Sequence, residues 1–250
     1  MGELLYGIHP IHEALLAGRR EFRRLCISKS RRIKGIETLL ELARAGGIPI
    51  QYKAPDYFKS RLGGSVHQGV AAQVSALPLS DERGILKKAE TDSALPLILG
   101  LDGIVDPQNL GSLVRTALAM GVHGVILPKT RAAPLSPAVS KASAGAMEHM
   151  LFARVANLVA ALQRLKKAGL WVVGSHADSR QPADQADFNV GLVLVIGGED
   201  KGVRPLVRNT CDRLVCVPQK TGIDSLNAAV AGAMVMYEVT RQRRKRSEVS

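Results

Sequence analysis

Three short segments carry polar side chains whose types and spacing fit a ligand site. In LDGIVDPQNLGSLVRTALAMG, 101–121, Asn109 is placed to cap a helix that begins at residue 110, and Gly121 to stop it. Arg115 follows six residues later, about 240° net around a helix, so it need not share a face with Asn109, although a long side chain can still reach a site. In LVLVIGGEDKGV, 192–203, paired Gly197 and Gly198 allow a ligand or another backbone to approach closely, and Glu199 sets a carboxylate at the strand's end. In LVCVPQKTGIDSLNAAVAGAMVMYEV, 214–239, Pro218 and Gly222 mark a loop and Ser225 is placed to cap the next helix. The early turns of that helix are small (Ala228, Ala229, Ala231, Gly232, Ala233), which permits tight packing or close ligand approach. Taken singly, each segment is explained by a cap, a turn or a packed helix. Together they lie beyond the C-terminal ends of three predicted strands, where open α/β sheets bind ligands.

Several familiar chemistries are excluded. There is no GxxxxGK[ST] loop, and the GGEDKG run at 197–202 follows the wrong strand with the wrong spacing for a dinucleotide turn. HExxH and GxSxG are absent, and the HxxH formed by His9 and His12 is an isolated pair, so no catalytic metal is expected. Cys26, Cys211 and Cys216 have neither zinc spacing nor a partner count that suits a disulfide framework, which favours a reducing compartment. No apolar run approaches the about 18 residues of a membrane span, and the N-terminus has no signal-peptide hydrophobic region; a cytoplasmic protein is expected.

DPQNLGSLVRTA, IGGEDKGVRP and VPQKTGIDSLNAAVA, in that order and spacing, resemble the three motifs of the SpoU (TrmH-type) RNA ribose 2'-O-methyltransferases. YGIHPIHEAL and VHQGVAA resemble that family's L30e-like substrate-binding domain, so the likeness runs over about residues 3–243. The resemblance implies S-adenosylmethionine (SAM) as methyl donor, with catalysis and substrate contact at Asn109, Arg115, Glu199, Ser225 and Asn227. It implies cofactor binding at Gly197, Val217 and Leu226, with 174–176 completing the pocket, no metal, a trefoil knot and a homodimer. Its substrate would be RNA, a guanosine of 23S rRNA above all. A tRNA ribose methyltransferase and a non-catalytic RNA-binding or ribosome-assembly protein are the alternatives.

The elements that must position these loops read as an α/β chain in two modules. Residues 1–76 alternate helices at 10–18, 36–45 and after Pro55 with strands at 24–28, 48–52 and 69–76, a small L30e-like unit. Residues 77–93 read as a linker with one short helix. In 94–246, buried-type strands at 97–101, 124–127, 170–173, 192–196 and 214–217 alternate with helices at 110–120, 137–147, 157–168, 203–209 and 225–244, the pattern of a doubly wound parallel sheet.

Charge points to a polyanion: 34 Lys and Arg oppose 22 Asp and Glu, a net +12. With only 4 Phe, 4 Tyr and 1 Trp, charge and shape rather than repeated base stacking would dominate. The excess concentrates in 19–34, which holds Arg19, Arg20, Arg23, Arg24, Lys29, Arg31, Arg32 and Lys34, and in the tail RQRRKR, 241–246. The first cluster is expected to be a phosphate-contact surface.

Overall fold

The computed structural model describes residues 2–29, 35–92, 94–199, 202–220 and 225–249, with side chains to 245. Its contacts divide the chain into two units, Met1–Pro78 with Pro134–His149, and Leu79–Ala133 with Met150–Ser250.

In the first unit β1 (Glu3–Tyr6), α1 (Ile8–Ala17), β2 (Phe22–Ser28), α2 (Glu37–Ala45), β3 (Ile50–Lys53), α3 (Pro55–Leu62) and β4 (Val70–Val74) build a mixed sheet of order β1-β4-β2-β3. Strand alternation splits its apolar residues between two faces. Leu25, Ile27, Val70, Ala72 and Val74 pack with Ile11, Ala14, Leu39 and Ala43 of α1 and α2, whereas Cys26 and Ala71 pack with Phe58 of α3. The sequence pattern misses β1, an edge strand of four residues paired antiparallel to β4.

The chain continues through α4 (Glu82–Thr91), β5 (Leu97–Asp102), α5 (Pro107–Ala119), β6 (Gly124–Pro128), α6 (Pro137–Ala142), a 3-10 turn (Ala146–Glu148) and β7 (Phe152–Val155). It ends with α7 (Leu158–Lys167), β8 (Trp171–Ser175), β9 (Leu192–Gly197), α8 (Pro205–Arg208), β10 (Arg213–Val215) and α9 (Ala228–Val249). The six strands from β5 to β10 pair in parallel in the order β10-β8-β9-β5-β6-β7. Both faces are covered, which is why the strands read as continuous apolar runs. Ile98, Val193 and Val195 lie with Ile85, Leu162 and Val207 of α4, α7 and α8, and α5 and α9 pack together on Ile196: a Cβ on Gly232 would stand 2.6 Å from Leu113 and 3.4 Å from Ile196. β7, an edge strand interrupted by Arg154, escapes the sequence pattern.

Two stretches sit otherwise than the boundaries 1–76, 77–93 and 94–246 lead one to expect. α4, inside the expected linker, buries Ile85 and Ala89, with Ile85 in the core of the second unit. Residues 134–149, inside the expected C-terminal module, belong to the first unit.

A buried ion pair holds that inserted segment. Glu148 is 0% and Arg20 5% exposed; Arg20 Nε donates to Glu148 Oε2 at 2.6 Å and Nη2 to Oε1 at 3.2 Å. Arg20 Nη1 reaches Glu3 Oε2 at 2.7 Å and the Ser75 carbonyl at 2.9 Å, while Ser140 Oγ donates to Glu148 Oε1 at 2.7 Å. Burial works against the Arg20 charge, but the Glu148 and Glu3 carboxylates outweigh it and hold the pKa above the ordinary arginine value. Arg19 donates to the carbonyls of Glu148 and Pro78.

The expected phosphate surface is therefore smaller than the count of charges. Arg19 and Arg20 are structural, Arg23 and Lys29 are exposed, and Arg31, Arg32 and Lys34 lie outside the described residues. The tail is not a free basic end either: α9 continues through it, Arg241 pairs with Glu238 at 2.7 Å, and Arg243 donates to the carbonyls of Phe188, Leu95, Pro96 and Val190. Burial lowers the Arg243 pKa to about 10.

Removing one partner of a buried pair leaves a desolvated charge. Glu148→Gln should therefore destabilise the protein by about 3 kcal/mol, whereas the double change Arg20→Met with Glu148→Leu should recover most of that loss. Urea unfolding followed by circular dichroism measures both.

Candidate active site

The strand order reverses between β5 and β9, and these central neighbours end together, with Asp102 in register with Gly197. That is the crevice where a doubly wound sheet receives ligands. Asp102 is 0% exposed. Its carboxylate accepts from the Arg204 backbone N–H at 2.9 Å, from Nε at 2.7 Å and from Nη2 at 2.6 Å. Its carbonyl accepts from Gly198 N at 2.9 Å, and Gly198 in turn accepts from Gly202 N at 2.9 Å. The segment after β9 thus turns back tightly on the strand end. A Cβ on Gly197 would lie 2.0 Å from the Gly202 carbonyl carbon, and one on Gly198 would lie 2.4 Å from the Gly103 oxygen, so neither position admits a side chain.

Three of the predicted polar residues meet above this crossing. Asp106 caps α5, accepting at 3.2 Å from both Gln108 N and Asn109 N. Asn109 is therefore not the cap; it stands in the first turn, which leaves its amide free. Asn109 Nδ2 donates to Glu199 Oε1 at 2.9 Å. Asn227 Nδ2 donates to Asn109 Oδ1 at 3.0 Å and to Glu199 Oε1. Asn227 Oδ1 accepts from Ala229 N at 2.9 Å and Val230 N at 3.2 Å, so Asn227 and not Ser225 caps α9. Both amide orientations follow from their partners: the helix N–H groups fix the Asn227 oxygen, which aims its NH2 at Glu199 and Asn109.

Two cavities flank Glu199. The first, about 330 Å³, is bounded by Ser175, His176, Gly197, Val217, Ser225 and Leu226 among others. The second, about 470 Å³, is bounded by Asp102, Val105, Asn109, Arg131 and Arg204 among others. Gly198, Glu199 and Gly202 belong to both walls. The first cavity collects Gly197, Val217 and Leu226, the residues expected to hold a cofactor, together with Ser225.

Arg115 is not brought to this cluster. It is exposed on α5, lines neither cavity, and has no hydrogen bond or ion pair among the described residues. The sequence reading missed Asp102, Arg131 and Arg204. The signal for Asp102 was present: a charged residue closing an otherwise apolar strand must find a buried partner. Gly222 of the expected loop lies outside the described residues. Among the described residues no group of three or more His, Cys, Asp or Glu side chains could hold a metal, and no helix is long and apolar enough to cross a membrane.

The SpoU rRNA Methylase family matches residues 96–237, and the family described as RNA 2'-O ribose methyltransferase substrate binding matches residues 4–80. YacO of Bacillus subtilis (strain 168), named for the TrmH family, is 40% identical over 96% of both chains. The 23S rRNA (guanosine-2'-O-)-methyltransferase RlmB of Pseudomonas putida is 38% identical over 96% of this chain and 97% of its own. Among solved structures, the SpoU methyltransferase AviRb from Streptomyces viridochromogenes matches 98% of this chain and 90% of its own, with a TM-score of 0.81 at 27% identity; its complex with AdoMet matches with 0.80. With family matches over residues 4–80 and 96–237, the chain belongs to the SpoU rRNA methylase family and is a SAM-dependent RNA ribose 2'-O-methyltransferase.

Proposed function

We propose that the protein methylates the ribose 2'-hydroxyl of a guanosine in 23S rRNA, acting in the cytoplasm as a homodimer. The observation that carries the active-site reading is the Glu199–Asn109–Asn227 cluster standing between two cavities. The rRNA target is supported by RlmB relatives that share both units over nearly their full length.

The first cavity suits SAM. Ile196, Val217 and Leu226 offer apolar walls, the backbone at Gly197 and Gly198 is bare, and the volume lies within the range of small-molecule sites. When bound, SAM would supply an electrophilic methyl group on a sulfonium, with the neutral thioether as its leaving group. The chain's own task is to hold a 2'-oxygen in line and to take its proton. Glu199 Oε1 is occupied by two amides, which leaves Oε2 without a partner among the described residues. We assign Oε2 to receive the hydrogen of the ribose 2'-hydroxyl and pass it to solvent, with Asn109 and Asn227 fixing the carboxylate and Ser225 orienting the ribose or cofactor. Arg115, exposed and without a hydrogen bond or ion pair among the described residues, is assigned to RNA phosphate, since a guanidinium keeps its proton. The trefoil knot is proposed on the family resemblance alone.

The homodimer reading rests on an uncovered apolar face. Val230, Met234 and Tyr237 recur at helical spacing on α9 and are exposed, as is Leu118 on α5, which packs against α9.

Mass mapping of ribose methylation in rRNA and tRNA, with and without the gene, tests the target: a lost 2'-O-methylguanosine in 23S rRNA is expected, and loss in tRNA alone would refute it. Glu199→Gln should lower kcat by about 10²-fold or more while SAM binding by calorimetry changes little. Light scattering should give twice the chain mass, and Met234→Glu with Tyr237→Glu should give the monomer.

A further inference from the structure

The second cavity holds a feature that the methyl-transfer reading leaves unused. It opens at the C-terminal ends of β5 and β6, and its outer wall carries Arg131, on the loop that follows β6. Arg131 is exposed and makes no hydrogen bond or ion pair among the described residues. Its φ is +56°, a left-handed conformation that costs a side-chain-bearing residue free energy and that glycine would adopt without penalty. The loop is held in place a little further on, where Ala133 N donates to the Ile104 carbonyl at 2.8 Å. The position thus keeps an arginine where the backbone favours glycine, and the arginine serves nothing within the described protein.

The remaining wall explains what it would serve. Arg204 is neutralised by Asp102, and the Asp106 carboxylate is spent on the N-terminus of α5. Glu199 is held through Oε1 by the two asparagines and makes no ion pair with Arg131 among the described residues. Among the described residues that line the cavity, Arg131 is therefore the cation without an ion-pair partner, and the same lining holds the proposed proton-accepting carboxylate. Val105, 63% exposed, adds an apolar surface on the same wall. In RNA a ribose 2'-oxygen lies beside its own 3'-phosphodiester. A site that presents that oxygen to Glu199 must also accommodate a negative charge a few ångströms away, and do so without approaching the carboxylate.

We propose that this second cavity receives the acceptor nucleotide, that Arg131 binds the phosphodiester on the 3' side of the methylated ribose, and that Val105 contacts its base or sugar. This rests on the reading of Glu199 as the reacting edge of the site. Arg131 acts on substrate alone and has no part in holding SAM, whose cavity it does not line.

The test compares Arg131→Ala, Arg131→Gly and Arg131→Lys in the full chain, with an unmodified 23S rRNA transcript and radiolabelled SAM. Arg131→Ala should raise the KM for RNA about tenfold and reduce the slope of log KM against log salt by roughly one phosphate contact, with SAM affinity unchanged. Arg131→Gly should show the same KM defect while raising Tm, which separates the lost charge from the relieved backbone. Arg131→Lys should recover part of the loss. A transcript with a neutral methylphosphonate 3' of the methylated ribose should give wild type and Arg131→Ala the same KM. A wild-type KM and salt slope in Arg131→Ala would overturn the assignment, as would a parallel loss of SAM affinity. Should wild type methylate a different RNA, the rRNA reading falls while the same comparison on that RNA still decides the role of Arg131.

Discussion

A carboxylate with no solvent exposure has to be matched, and at the end of β5 that demand organises everything above the sheet. Asp102 is met by the backbone N–H and the guanidinium of Arg204, so the residue that opens α8 is pinned to the neighbouring strand. Between Gly197 and Arg204 the chain then has to return on itself, Gly202 N donating to the Gly198 carbonyl, and the bare backbone at Gly197 and Gly198 makes that approach sterically feasible. Glu199 rides on that closed segment. Its position relative to α5 and α9 is thus inherited from a half-buried ion pair at the strand end, and the cluster it forms with two asparagines builds on that placement.

The same logic redistributes the charge excess. Arginines that a count assigns to RNA are partly consumed by carbonyls and buried carboxylates, because a guanidinium has five donors in a fixed fork and suits such positions better than lysine. Arg20 locks residues 134–149 to the first unit, and Arg243 ties α9 to the strand-entry side of the second sheet through four carbonyls. Cys211 is similarly inert, its thiol pushed up to about 12 by burial. What remains for a polyanion is a smaller set of exposed cations, Arg23, Lys29, Arg115 and Arg131 among them.

The parallel sheet was legible because burial on both faces writes an unbroken apolar run, and the three loops were legible because each follows such a run. β1 and β7 were not, since edge strands of four residues carry too little pattern to distinguish them from loop. The caps were misplaced by a short step in both cases. Asp106 and Asn109 are each good capping residues, as are Ser225 and Asn227, and local propensity does not choose between them. Tertiary contacts choose: the side chain that must reach Glu199 is released from capping in α5, and in α9 one residue does both. Arg131 was silent because a left-handed φ leaves no trace in composition, and the place of 134–149 was silent because it depends on an ion pair spanning 128 residues of sequence.

Residue type at Asn227 follows from that double use. Capping α9 needs an acceptor aimed at the N–H groups of Ala229 and Val230, while Glu199 and the Asn109 oxygen need a donor aimed the other way. Aspartate would cap equally well but would face Glu199 with a second negative charge and offer it no proton. Serine has an acceptor and a donor on one atom, and its short arm cannot span both partners. The carboxamide separates the two functions on two atoms of one rigid plane, so that forming the first turn of α9 also fixes the direction of the N–H that holds the carboxylate. Helix initiation and active-site assembly are in this way a single event, coupled through one side chain.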